Sequence, residues 1–136
     1  MDKFLVNGPC RVKGYVNIQG SKNAALPILA STILFDKPVI IKNLPRVKDI
    51  DTMLNLLKSL GLKIQLSDNK RTVRILRKKK LKFLAPYSLV KTMRAGILVL
   101  GPMISKYHKS ITSLPGGCLI GARPVNYHLN ALKKLG

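Results

Sequence analysis

Cys118 stands in the run Pro115-Gly116-Gly117-Cys118-Leu119-Ile120-Gly121-Ala122-Arg123-Pro124, a thiol among glycines with a guanidinium shortly downstream. Glycines let the backbone take positive φ and approach a ligand closely, while Arg123 and a helix start expected beyond Pro124 supply positive potential. A thiol in such a field ionises more readily than a free one, so the pattern points to chemistry on an anionic substrate. The plainer alternative is a small apolar residue in a tight turn. With Cys10 as the other cysteine there is no disulfide framework, and neither residue has a second cysteine or histidine at metal-ligand spacing. Both read as reduced thiols.

A second candidate lies at Gly20-Ser21-Lys22-Asn23, which opens an apolar segment and reads as a helix start. Free backbone N–H groups there favour an anion, and Lys22 adds a charge. The competing reading makes Lys22 a solvated first-turn residue and Asn23 a cap. Arg94 falls within an otherwise apolar helical pattern, where either a ligand contact or a structural salt bridge would account for it. His108 and His128 have no partner arrangement that suggests acid-base work.

These residues must be carried by 136 residues and 15.0 kDa, enough for one domain, with 46% apolar residues to form a core. The most apolar run, 97–104, is broken by Gly101-Pro102 and is too short to span a bilayer. Residues 1–6 lack the basic start and long apolar stretch of a secretory signal, so the expected location is cytoplasmic. A formal charge of +20 raises nucleic acid as a partner through phosphate neutralisation. The basic residues are spread along the chain, however, and the dense block Arg77-Lys78-Lys79-Lys80 with Lys82 reads as a solvated connection after a strand. Aromatic residues, at 5%, are not interleaved with that block, so nucleic-acid binding is the weaker reading.

Alternation of apolar residues predicts short strands at 5–6 and 12–18 around a Gly8-Pro9 turn. A helix is expected from Gly20 to about Leu34, with Pro27 tolerable only in its first turn. A strand follows at 39–42. Ile50, Met53, Leu54, Leu57 and Leu60 make one face of a second helix, with Asp49 and Asp51 near its start and Gly61 as its stop. Segments 62–66 and 72–76 predict a hairpin around 67–70. A third helix is expected at 88–100, a strand at 110–114 and a fourth helix at 125–135. Aligning 49–61 with 124–136 pairs Leu54 with Leu129, Asn55 with Asn130, Leu57 with Leu132, Lys58 with Lys133, Leu60 with Leu135 and Gly61 with Gly136. The halves therefore read as a repeated unit, and the extra loop with Cys118 in the second copy is where function is expected. The second copy stops after its helix, so the chain reads as an amino-terminal fragment.

Three separated stretches carry a family resemblance: Gly20-Ser21-Lys22-Asn23-Ala24-Ala25-Leu26-Pro27, then Ala85-Pro86-Tyr87-Ser88-Leu89-Val90-Lys91-Thr92-Met93-Arg94-Ala95, then the cysteine loop through Arg123-Pro124-Val125. Over essentially its whole length the chain resembles the amino-terminal third of the enolpyruvyl transferases, on the branch that begins peptidoglycan synthesis. The resemblance implies transfer of the enolpyruvyl group of phosphoenolpyruvate to the 3-hydroxyl of UDP-N-acetylglucosamine with release of phosphate, with no metal or organic cofactor. Lys22 and Asn23 would hold phosphoenolpyruvate. Cys118 would be the proton donor, able also to form an adduct with phosphoenolpyruvate. Arg94, Arg123, Pro124, Val125, Asn126 and Tyr127 would line the UDP-sugar site. The family usually has an acidic residue at position 126 and an aliphatic one at 127, and Asn126 and Tyr127 depart from that pattern.

The implied fold is α/β (α+β), with repeated βαβαββ units in an inside-out α/β barrel, incomplete over this chain. Residues 1–20 would belong with a second, carboxy-terminal domain, and 21–136 would form part of the first domain, about one and a half units. The family's general-base aspartate and a further arginine fall beyond this sequence, so the isolated chain is expected to be poorly folded and inactive unless a separate chain completes it. Two readings compete: a remnant that binds UDP-sugar without turnover, and a basic nucleic-acid-binding protein. The shikimate branch of the fold is a weaker rival, because it has no equivalent of the cysteine loop.

Overall fold

A computed structural model describes residues 3–67, 69–77, 81–114 and 124–136. Its centre is a pair of helices, α1 (Lys22–Ser31) and α2 (Lys48–Ser59), packed on each other, with α2 also packed on a small sheet. The sheet contains β1 (Val39–Ile41), β2 (Leu62–Leu66) and β3 (Val73–Arg77), in the order β1-β3-β2 with both pairings antiparallel. The β2–β3 hairpin is the expected one, with Ile64 opposite Ile75 and Leu66 opposite Val73. Its turn is fastened by side chains, since the Ser67 hydroxyl donates to Asn69 Oδ1 and the Arg71 N–H donates to the same oxygen.

Period-two alternation gives the sheet one face toward the helices and one toward water. Leu62, Val73 and Ile75 are buried, whereas Lys63, Gln65, Arg74 and Ile40 are exposed. Against the inner face, α2 presents an apolar side of Ile50, Met53, Leu54, Leu56 and Leu57, and α1, packed on α2, adds Ala25, Leu26, Leu29 and Ala30 to the same core. α2 follows its sequence signals closely: two aspartates in the first turn, Lys58 in the last, and Gly61 beyond the end at φ 103°.

Four expectations are corrected. α1 runs through Pro27, which lies in its second turn, and the chain then tightens into a 3₁₀ turn at Thr32–Leu34. Burial of Leu26, Leu29, Ala30 and Ile33 outweighs the missing hydrogen bond, and the buried Thr32 hydroxyl is satisfied by the Leu29 carbonyl at 2.6 Å. The single third helix is in fact three pieces: α3 (Tyr87–Val90), a 3₁₀ segment at Arg94–Val99, and α4 (Leu100–Tyr107). Met93 is extended at φ −146°, and the Thr92 hydroxyl bonds the Leu89 carbonyl, so the helix breaks there rather than at Gly101-Pro102. Pro102 falls in the first turn of α4, where no backbone N–H is needed.

The strand expected at 110–114 is reduced to one parallel bridge between Leu84 and Ile111, held by Ala85 N–H to Ile111 O at 2.9 Å and Ile111 N–H to Phe83 O at 2.7 Å. Segments 5–6 and 12–18 form no strand. Their apolar side chains, Phe4, Leu5, Val6, Val12, Tyr15, Val16 and Ile18, are all at least 86% exposed. Alternation specifies a strand only where a neighbouring ladder can accept it, and no described strand lies beside this segment. The fourth helix is present as α5 (Asn126–Lys134), with no buried residue, unlike α2, its counterpart in the repeat. Residues 78–80 of the basic block lie outside the described residues; Lys82 is exposed.

α4 is fastened to the first layer by Lys106, whose ammonium donates to the Leu34 carbonyl and to Asp36 Oδ1, both at 2.7 Å. Leu57 is fully buried where α2 meets the rest of the core. Leu57→Ala is expected to destabilise by about 2 to 5 kcal/mol, read as a lowered denaturation midpoint in urea with an unchanged slope.

Candidate functional site

The N-termini of α1 and α2 are brought together by a close backbone contact. A Cβ on Gly20 would run into the carbonyl group of Asn43, so only glycine lets the entry to α1 pass this near the loop that leads to α2. Beside it, Gln19 Oε1 accepts a hydrogen bond from the Arg46 N–H at 3.4 Å. The two helix entries are thus tied across Gln19–Gly20 and 43–46, and their first-turn residues share one patch of surface.

Lys22 is the first residue of α1, and its ammonium meets Asp49 Oδ2 in the first turn of α2 at 2.9 Å. The side chains are 47% and 38% exposed, so both remain open to water and to a ligand. Asp49 is favoured where it stands by the positive end of α2, whereas an ammonium at the start of α1 is not favoured by its own helix. The carboxylate offsets that penalty. Asn23 follows at an exposed position in α1. Its backbone carbonyl would ordinarily accept from the residue at 27, and Pro27 has no N–H to donate.

Arg94 opens the 3₁₀ segment, which packs against α1, and is half-buried and engaged rather than free. The packing of that segment depends on Gly96, whose Cβ position lies 3.2 Å from Val90 Cα. Of the remaining candidates, Pro124 and Val125 precede α5, while Asn126 and Tyr127 begin it; Val125 is half-buried and the other three are exposed. Cys118 and Arg123 lie outside the described residues. The fold therefore gathers Lys22, Asn23 and, through its segment, Arg94 around α1, while 124–127 stand on an unburied helix.

The role of Asp49 as partner to Lys22 was not apparent in the sequence, where it reads as a helix-start carboxylate. The available signal was scarcity: against 25 lysines and arginines the chain has five acidic residues, and two of them sit in the first turn of α2. On the flank of that turn a groove of about 250 Å³ runs toward the β2–β3 hairpin, bordered by Arg46, Lys48, Leu54, Leu66 and Lys70. Its lining does not include Lys22, Asn23 or Arg94. Among the described residues no three His, Cys, Asp or Glu are grouped to hold a metal, and no helix is long and apolar enough to cross a membrane.

Gly20→Ala is expected to cost about 1 to 3 kcal/mol by overpacking against backbone, measured by chemical denaturation beside the wild type. An unchanged midpoint would mean that the two helix entries are not held by this contact.

The chain is 59% identical over 136 residues to a UDP-N-acetylglucosamine 1-carboxyvinyltransferase of Pelagibacter ubique and 54% identical to one of Hamiltonella defensa, in each case over all of this chain and 32% of the relative. It is 49% identical over 140 aligned positions to one from Escherichia coli, with the same coverage. The chain thus spans about a third of the length of these relatives. Among solved structures, the enolpyruvyl transferase NikO from Streptomyces tendae matches with a TM-score of 0.62 at 18% identity, over 71% of this chain and 22% of that one, a likeness of fold. The family model described as EPSP synthase (3-phosphoshikimate 1-carboxyvinyltransferase) matches residues 6–136, and the chain belongs to that family.

Proposed function

We propose that this chain is the amino-terminal part of an enzyme that transfers the enolpyruvyl group of phosphoenolpyruvate to the 3-hydroxyl of UDP-N-acetylglucosamine and releases phosphate. The observation that carries the reading is identity of 48–59% over the whole chain to relatives bearing that enzyme name. Although the family is described by its shikimate member, these relatives and the Cys118 loop favour the sugar-nucleotide acceptor.

The chemistry fits the residues. Phosphoenolpyruvate carries a phosphate and a carboxylate, and its methylene carbon must gain a proton before the adjacent carbon accepts the sugar oxygen. Loss of a proton from that methyl carbon and departure of phosphate then restore the double bond in the product. Lys22 and Asn23 at the start of α1 bind phosphoenolpyruvate, where an ammonium and free N–H groups meet an anion. Cys118 donates the proton to the methylene carbon. Arg94, Arg123, Pro124, Val125, Asn126 and Tyr127 contact UDP-N-acetylglucosamine, with Arg123 also near the phosphate. The base that takes the hydroxyl proton comes from outside this sequence.

Cys118→Ser in the full-length protein is expected to lower phosphate release from the two substrates at least a hundredfold, since general acid catalysis contributes about 10²–10⁴ in rate. Full activity in that variant would remove Cys118 as the proton donor, and a wild-type protein that turns over shikimate 3-phosphate instead would overturn the acceptor.

For the domains, we propose that residues 1–20 join a second domain, while 21–136 form about one and a half units of the first. The exposed apolar residues between Phe4 and Ile18 support that reading, because they need a sheet to cover them. Amide hydrogen exchange should be slow at 12–18 in the full-length protein and fast in the isolated chain. Fast exchange in both would refute the assignment.

A further inference from the structure

We propose that Asp49 is a positioning residue for Lys22, holding its ammonium at the junction of α1 and α2 so that the remaining donors face an anion. This inference rests on the reading of Lys22 as an anion contact given above. An unpaired lysine would spread over many rotamers and would be pushed from the start of α1 by the helix dipole. The carboxylate at 2.9 Å confines it, and Asp49 is itself seated by the positive end of α2. An ammonium has three N–H donors, so one bond to Asp49 leaves two for a ligand oxygen. The close pass of Gly20 over Asn43 fixes the spacing between the helices that the pair spans.

Asp49 does two separable things at this place: it holds the ammonium, and it adds a negative charge that opposes an anionic ligand. Substitution by asparagine keeps an oxygen acceptor and removes the charge, whereas alanine removes both. The difference between the two variants therefore isolates the holding role from the charge. Because both side chains are part-exposed, the effect is modest, about threefold to fivefold.

The test is titration of the full-length protein with inorganic phosphate, supplemented by the KM for phosphoenolpyruvate, on Asp49→Asn and Asp49→Ala, each with Lys22 present and with Lys22→Ala. With Lys22 present, Asp49→Ala is expected to bind phosphate about threefold to fivefold more weakly than Asp49→Asn, with the same ratio in KM and little change in kcat. In the Lys22→Ala background the difference should vanish, which a general loss of folding would not produce. Equal binding by the two variants, or a difference that survives removal of Lys22, would overturn the inference, as would absence of phosphate binding by the wild type. Phosphate binding that follows the expected pattern in a protein without transferase activity would overturn the proposed reaction and leave the role of Asp49 standing.

Discussion

The structure depends on the seam between α1 and α2. α1 has poor local credentials: a proline in its second turn, no capping side chain at Ser21, and no acidic residue in its first turn. It forms because Leu26, Leu29, Ala30 and Ile33 enter the same core as Ile50, Met53, Leu54 and Leu57. Burying one such leucine is worth about 1.5 to 3 kcal/mol, so four apolar contacts exceed the lost proline hydrogen bond. The sheet then packs on α2, the 3₁₀ segment at 94–99 packs on both helices, and α4 packs on that segment and on the 3₁₀ turn after α1. Since both helices point their N-termini to one place, the packing that stabilises the fold also builds the candidate anion site.

Electrostatics sharpen this. At +20 the chain repels itself, and two of its five carboxylates join elements: Asp49 ties α2 to α1, and Asp36 ties the end of the first 3₁₀ turn to Lys106 on α4. Part-exposed pairs of this kind add little to stability. Their value lies in fixing where a long cationic side chain sits. At Lys106 that outcome is structural, because the ammonium also serves the Leu34 carbonyl. At Lys22 the pair sits on open surface, with spare donors.

Much of the fold was legible because some segments decide their own structure. α2 carries a clean apolar face, acidic first turn and terminal glycine, and the β2–β3 hairpin is set by Ser67, Asn69 and period-two alternation. Other segments take their structure from neighbours. Pro27 reads as tolerable only in a first turn until the core that its helix serves is known, and the break at 91–93 depends on a threonine hydroxyl and on the fit of Gly96 to Val90. The strands at 5–6 and 12–18 needed a partner ladder to exist at all. As candidates, Lys22 and Asn23 stand out from the helix start and the family motif, whereas the ion pair of Lys22 with Asp49 was not legible, because the two lie on different helices.

The distribution of burial carries the last step. The core-facing sides of α1, α2 and the sheet are largely buried, while the large apolar side chains of residues 3–19 are exposed and α5 has no buried residue, although both are patterned to pack. The helix that aligns with α2 repeats its leucines, yet Leu129 and Leu132 are only half-buried and Leu135 is 84% exposed. A repeated unit hides its second face against the next unit, and unburied leucines at equivalent positions accord with the domain division proposed above. The same holds for the alternating arm before Gly20. The residues proposed for phosphoenolpyruvate and for the sugar nucleotide are thus divided between a packed first unit, which holds Lys22 against Asp49, and 124–127 at the start of the unburied α5.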